Sequence, residues 1–250
     1  MGALREIWSG RKHYLDKMSL GDLAVAYFRY PAIQAYLVLA GVAAYVASRS
    51  VVTSWNGHGL PLGLAVLAGF LVYPPVWYLL HRFMLHGRFL YRSARTASLW
   101  KRIHYDHHQD PTDLRVLFGA MYTTLPTIAV VTLPIGFLIG GTAGAAGAMG
   151  AALVSTLFYE FCHCIQHLHY TPRNRFLRRI KQLHLLHHYH NETGNYGITN
   201  FFWDRMIGTY YGSAGDVPRS ATVFNLGYAE EECARYPWVA RISESTQKRS

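Results

Sequence analysis

The sequence predicts an all-α integral membrane protein: four transmembrane helices in two hairpins, with a cytoplasmic helical cap carrying a histidine-rich site. Three observations predict it. Four long blocks are apolar almost all round in a chain that is 51% hydrophobic and only 15% charged. Nearly all lysines and arginines fall on one side of those blocks. Ten of the 14 histidines gather in four tight clusters beside the block ends.

Residues 1–30 are mixed and basic, with Trp8, Tyr14, Tyr27, Phe28 and Tyr30, and read as an interfacial amphipathic segment leading to Pro31. The apolar blocks follow as Ala32–Ser48, Leu60–Leu80, Val116–Ile139 and Thr142–Cys162. Each meets or approaches the roughly 20 residues a helix needs to cross a bilayer. None contains Asp, Lys or Arg, and Glu160 is their one acid. A soluble helical core would need amphipathic stripes that these blocks lack. Asn56–Gly57 supplies a turn between the first two blocks, and Gly140–Gly141 joins the second pair. The small residues of 141–152 allow close helix packing there. The chain is read as one domain over 1–250: the segment 1–30, a catalytic core at 31–212 and a cytoplasmic tail at 213–250.

Basic residues favour the cytoplasmic side of a membrane. Apart from Arg49, every Lys and Arg lies before the first block, between His81 and Arg115, or after Cys162. Both termini are therefore expected in the cytoplasm. The net charge of +10 is read as topology with some attraction to anionic lipid, and no nucleic-acid partner is expected. No removable signal peptide is expected, and the scarcity of ionisable residues inside the blocks argues against a transporter. Cys162 and Cys164 flank His163 and are read as packing residues, since cytoplasmic placement disfavours disulfides.

The histidine clusters are His81 and His86; His104, His107 and His108; His163 and His167; and His184, His187 and His188. All lie at the cytoplasmic ends of the blocks, so the membrane brings together what the sequence separates. Residues three and four apart share a helix face, which suits the last three clusters. His81 and His86 are five apart, and one is expected at a frayed or kinked helix end. Neutral imidazole suits iron, copper, nickel and zinc, and ten exceed what one ion can use, so two ions are expected. No HExxH peptidase motif is present, and only Glu160–His163 matches the Glu-x-x-His of soluble di-iron bundles. Three cysteines exclude a Cys-rich zinc module. A nearly all-nitrogen set leaves a di-iron oxygen-activating centre or a dinuclear zinc site. Glu160, Asp204 and Asn195 are candidates to hydrogen-bond the imidazoles from behind. Asp204 has Arg205 or Arg179 as alternative partners. Tyr196, Phe201-Phe202-Trp203 and Tyr210-Tyr211 read equally as the lining of a lipid entrance or as an interfacial belt.

Three stretches carry a resemblance: HRFMLH at 81–86, HYDHHQDPTDLRVL at 104–117, and the run from Tyr159 to Gly212. That run contains FLRRIKQLHLLHHYHNETGNYGITNFFWDRMIGTYYG, with Trp203-Asp204 and Gly208-Thr209 near its end. Over about residues 70–212 the chain resembles the fatty acid hydroxylase/sterol desaturase superfamily. It is most similar to the fatty acyl 2-hydroxylase branch, whose members hydroxylate the carbon next to the acyl carbonyl, often in sphingolipids. The resemblance implies that all ten clustered histidines bind metal. His13, His58, His169 and His190 are expected not to, His190 being the nearest to an exception. It also implies two iron ions (zinc being possible in purified protein), O2, a membrane lipid substrate and hydroxylation of an acyl C–H. The sequence contains no fused haem-binding module, so electrons are expected from a separate redox protein. A sterol or carotenoid oxidase or desaturase, and a non-redox zinc metalloprotein, are the alternatives. The Ala/Gly/Arg-rich composition favours a bacterial inner membrane over the endoplasmic reticulum.

Overall fold

The computed structural model describes residues 14–53 and 59–247. Trp8, His13, His58 and the Asn56–Gly57 turn lie outside the described residues. Among the described residues regular structure is helical, save an isolated bridge between Tyr14 and Asp113. The chain divides into two compact units.

The first unit, Gly21–Trp77 with Gly119–Phe161, is built from the apolar blocks. A helix over Leu20–Arg29 leads into Pro31–Thr53, where proline occupies the first helical position and its missing N–H costs nothing. Gly59–Leu79 is helical through Pro74 and Pro75. The third long helix, Met121–His167, begins later than the apolar block at Val116, because Leu114–Leu117 forms a short helix of its own. It is broken at Gly140 and Gly141, and Gly141 sits at φ 57°, where only glycine is unstrained. Among the described residues, three stretches are long and apolar enough to cross a membrane: Pro31–Ser50, Gly59–Leu85 and Leu114–His167. Leu138, Val130, Leu60, Val38 and Leu71 on these helices are 64–85% exposed, a surface suited to hydrocarbon rather than water.

Small residues set how closely the helices pack. A Cβ on Gly69 would stand 2.6 Å from the Ala148 carbonyl, and one on Gly136 would strike the Gly144 carbonyl and come within 2.8 Å of the Ala145 Cα. The two arms of the broken helix thus fold back on each other through backbone contact. Gly136→Leu is expected to destabilise the protein by about 1–3 kcal/mol or more through overpacking. Gly63→Leu, at a position with nothing within 4 Å of the added Cβ, should not. Thermal unfolding of the two variants in detergent, followed by size-exclusion fluorescence, checks this.

The second unit, Met1–Leu20, Tyr78–Phe118 and Cys162–Ser250, holds the polar chemistry. Leu90, Tyr91, Ala97 and Trp100 pack with Leu226, Tyr228 and Val239. Trp238 Nε1 donates to the Tyr91 carbonyl at 2.6 Å, and the Tyr91 hydroxyl donates to Glu232 at 2.9 Å. Residues after 212, expected as a surface tail, therefore supply much of this core, because the aromatic residues near the chain end need apolar cover. The Arg175–Tyr189 helix starts at Asn174, whose Oδ1 accepts from the N–H groups of Phe176 and Leu177. Its buried residues, Ile180, Leu183, His184, His187 and His188, recur at helical spacing and form one face. Cys162, Cys164 and Cys233 are all unbridged, and Cys164 is fully buried.

Candidate metal centre

The five-residue spacing of His81 and His86 is met by a π turn rather than a frayed end. Leu80–Leu85 is π-helical, and the His86 N–H donates to the His81 carbonyl at 3.1 Å, an i to i+5 bond. This turn puts residues five apart on the same side, and the two Nε2 atoms stand 3.2 Å apart. A second π turn, Lys101–Tyr105, closes with the Asp106 N–H on the Lys101 carbonyl, and the Lys101 ammonium pairs with the Asp106 carboxylate. It delivers His104, and the short helix Asp106–Gln109 delivers His107 and His108. His163 and His167 occupy the last turn of the broken helix, and His184, His187 and His188 the buried face of Arg175–Tyr189.

All ten clustered histidines meet within the second unit. His81, His86, His104 and His187 form one group and His107, His163, His167, His184 and His188 another, the candidate nitrogens of each lying within 4.8 Å of one another. His108 forms a third, smaller group with His187 and His188, one from each of the others. Its ring stacks on His188 with centroids 4.2 Å apart. In the first group the Nε2 atoms of His81, His86 and His104 are 2.9–3.2 Å apart. In the second, His107 and His163 approach at 3.0 Å, and His167 and His184 at 2.9 Å.

Such spacings are what shared ions require. Two nitrogens each about 2.0–2.1 Å from one ion stand roughly 2.9 Å apart at a right angle and about 3.3 Å at the tetrahedral angle. The protonation state fits as well. Burial, reinforced by neighbouring imidazoles, holds His86, His104, His107, His184, His187 and His188 well below the usual histidine range. Burial likewise lowers His108 to about 3. Neutral imidazole is the form that binds metal. Among the described residues, the Nε2 atoms of His108, His187 and His188 are buried without a protein partner, the condition of ligand atoms.

Backbone carbonyls fix several rings. Nδ1–H of His81 donates to Tyr196 O at 2.6 Å, that of His187 to Gly194 O at 2.7 Å and that of His108 to Val223 O at 3.0 Å. Each bond fixes the tautomer and turns the Nε2 lone pair inward. The Tyr196 ring also packs edge-on against His81, His86 and His187, at 5.1–5.7 Å between centroids.

Asp204 and Asn195 hold the loop behind the site rather than the imidazoles themselves. The Asp204 carboxylate is buried but accepts from the Tyr196 and Gly197 N–H groups at 2.8 and 2.9 Å and from the Thr209 hydroxyl at 2.8 Å, not from an imidazole. Backbone donors come first because the 194–197 loop folds around it. Neither arginine pairs with it: Arg179 donates to the Tyr210 hydroxyl and Arg205 lies over the Tyr210 ring. Asn195, fully buried at φ 53°, donates to Tyr211 O and accepts from Tyr211 N–H, holding the same loop. Glu160 belongs to the apolar unit, where it accepts from the Gly119 N–H at 3.1 Å, beside the start of Met121–His167. Of the aromatic residues, Tyr196, Phe201 and Tyr211 are buried and Phe202 is exposed. His169 is exposed, and His190 Nε2–H donates to Val217 O. Neither belongs to the groups. The carbonyls of Gly194, Tyr196 and Val223 escaped the sequence reading, since a backbone acceptor leaves no residue signature.

The chain is similar to known proteins. The sequence profile described as fatty acid hydroxylase matches residues 66–209, more than half of the chain. A dihydroceramide fatty acyl 2-hydroxylase of Arabidopsis thaliana is 30% identical over 178 residues, covering 68% of this chain and 70% of that protein. A ceramide very long chain fatty acid hydroxylase of Saccharomyces cerevisiae is 31% identical over 159 residues, and human fatty acid 2-hydroxylase 29% over 152. These alignments cover 61% and 59% of this chain but only 38% and 39% of the relatives' lengths. Among solved structures, full-length scs7p, with only its hydroxylase domain visible, superposes at a TM-score of 0.58 and 27% identity. That match covers 82% of this chain and 71% of the other.

Proposed function

Because the chain belongs to the fatty acid hydroxylase family, we propose that it is a membrane-embedded dimetal monooxygenase. It hydroxylates an acyl lipid at the carbon next to the carbonyl, with O2 and two electrons from a separate redox protein. The observation that carries this reading is the gathering of ten histidines, nine of them buried, into groups of four and five that His108 joins. The relatives, acyl or ceramide hydroxylases by name, favour the 2-position over sterol or carotenoid oxidation.

In this reading His81, His86, His104 and His187 hold one ion, and His107, His163, His167, His184 and His188 the other, with His108 between them. Two bound iron ions would supply the reduction of O2 and the cleavage of an unactivated C–H bond. The protein's part is to keep the imidazoles neutral, aim their nitrogens and keep water from the reacting carbon. Burial does the first and the Gly194, Tyr196 and Val223 carbonyls the second. The Tyr196 ring walls one side of the first group. The two arms of Met121–His167 are separate crossings, so the chain spans the membrane four times. That helix runs about 70 Å if straight, far beyond one crossing. The even number of spans and the one-sided basic residues support a cytoplasmic place for the histidines and both termini, and the Ala/Gly/Arg-rich composition supports a bacterial inner membrane.

The test is lipid mass spectrometry of cells expressing the wild-type chain or His187→Ala. An acyl lipid one oxygen heavier is expected only with wild type, with fragments placing the hydroxyl beside the carbonyl. A wild-type product lacking two hydrogens, or an oxidised sterol or carotenoid, would overturn the 2-hydroxylase assignment.

A further inference from the structure

The two histidine groups differ in what stands behind their rings. In the four-histidine group, His81 and His187 each donate Nδ1–H to a carbonyl of the same short loop, from Tyr196 and Gly194. That loop is itself tied down. Asp204 accepts from two of its N–H groups, and the Thr209 hydroxyl donates to Asp204. Asn195 pins its middle to Tyr211, and the Gly194 flank is paired through the Asn195 N–H to the Thr209 carbonyl at 2.9 Å. Four rings of the five-histidine group stand differently. Among the described residues, Nδ1 of His107, His167, His184 and His188 is buried with no protein acceptor. For His107, His167 and His184 the close pairs form through Nε2, so Nδ1 is the nitrogen that would need one.

We propose that the two positions hold their ions unequally: the group of His81, His86, His104 and His187 tightly, and the group of His107, His163, His167, His184 and His188 loosely, as an exchangeable ion. An acceptor behind a ligating imidazole fixes its orientation and raises its basicity, and loss of such a partner typically lowers metal affinity 10–100-fold. Ligand number argues the other way, because five donors should outbind four. The two arguments therefore predict opposite orders of release. Asp204 is a positioning residue here: it touches no ligand and acts by holding the carbonyls that His81 and His187 use. This inference rests on the dimetal reading above.

The experiment is timed metal loss from the purified full-length protein in detergent, loaded with zinc and challenged with excess colorimetric chelator. Two phases of about one ion each are expected, with rates at least tenfold apart. His184→Ala should remove the fast phase and spare the slow one; His81→Ala should remove the slow phase. Asp204→Ala should speed the slow phase at least tenfold and leave the fast one unchanged. Thr209→Val, a milder loosening of the same loop, should move it in the same direction if Asp204→Ala does not fold. A single phase releasing both ions together would overturn the inequality, as would loss of the slow phase in His184→Ala. A folded wild-type protein that takes up no zinc, cobalt or iron at all would instead overturn the dimetal reading itself.

Discussion

Lowering the pH from 7.5 to 5 is expected to unfold the histidine-bearing unit, with uptake of several protons. In the folded protein, burial keeps His86, His104, His107, His108, His184, His187 and His188 neutral, with His108 lowered to about 3. In the unfolded chain the same side chains titrate near 6.5. Between those values the unfolded chain binds more protons, so stability is full above about 6.5 and falls as the pH drops. At pH 5 a histidine held as low as His108 costs about 2 kcal/mol, from roughly 1.5 units at 1.36 kcal/mol each. A handful of them approaches the whole stability of a typical domain, about 5–15 kcal/mol. Bound metal steepens the loss, because protons compete with it for the same nitrogens. Thermal melts in detergent across this range check it; a midpoint unchanged between pH 7.5 and 5.5 would show that the imidazoles are not held neutral.

His107→Ala is expected to abolish hydroxylation, by at least about 10²-fold, and to lower bound metal by about one ion per chain while membrane insertion persists. His107 is 1% exposed and its ring lies 4.6–4.9 Å from those of His163, His167 and His188, so its loss opens the centre of its group. Insertion depends on the apolar helices, to which His107 contributes nothing. Metal analysis and product assay on the same membranes read both effects. Full activity with full metal content would remove His107 from the site.

Much of this was legible in the sequence because two simple periodicities carried it. Long apolar runs without charge gave the long helices, and adjacent glycines marked the break at Gly140–Gly141. Histidines three and four apart gave the shared faces of His163 with His167 and of His184 with His187 and His188. What stayed hidden depends on backbone geometry. The π turn at Leu80–Leu85 breaks the 3.6-residue rule that made the other clusters readable. The carbonyls of Gly194, Tyr196 and Val223 have no side-chain signature. Asp204 was visible as a candidate partner of the imidazoles, but the folded loop intercepts its oxygens first. The role of residues beyond 212 was obscured by their charges, which mask the aromatic positions that join Leu90, Tyr91 and Trp100.

The π turns carry a consequence for how such a protein can change. Each is one residue longer than an ordinary helical turn, equivalent to a single inserted codon. That residue resets the rotational phase of the helix, so the ligand pattern after it need not continue the apolar pattern before it. Substitutions that adapt a span to a thicker or thinner membrane can then accumulate without turning His81 and His86 away from each other. The insertion acts as a clutch between two periodic signals, leaving the lipid-facing pattern and the metal-facing one free to drift separately.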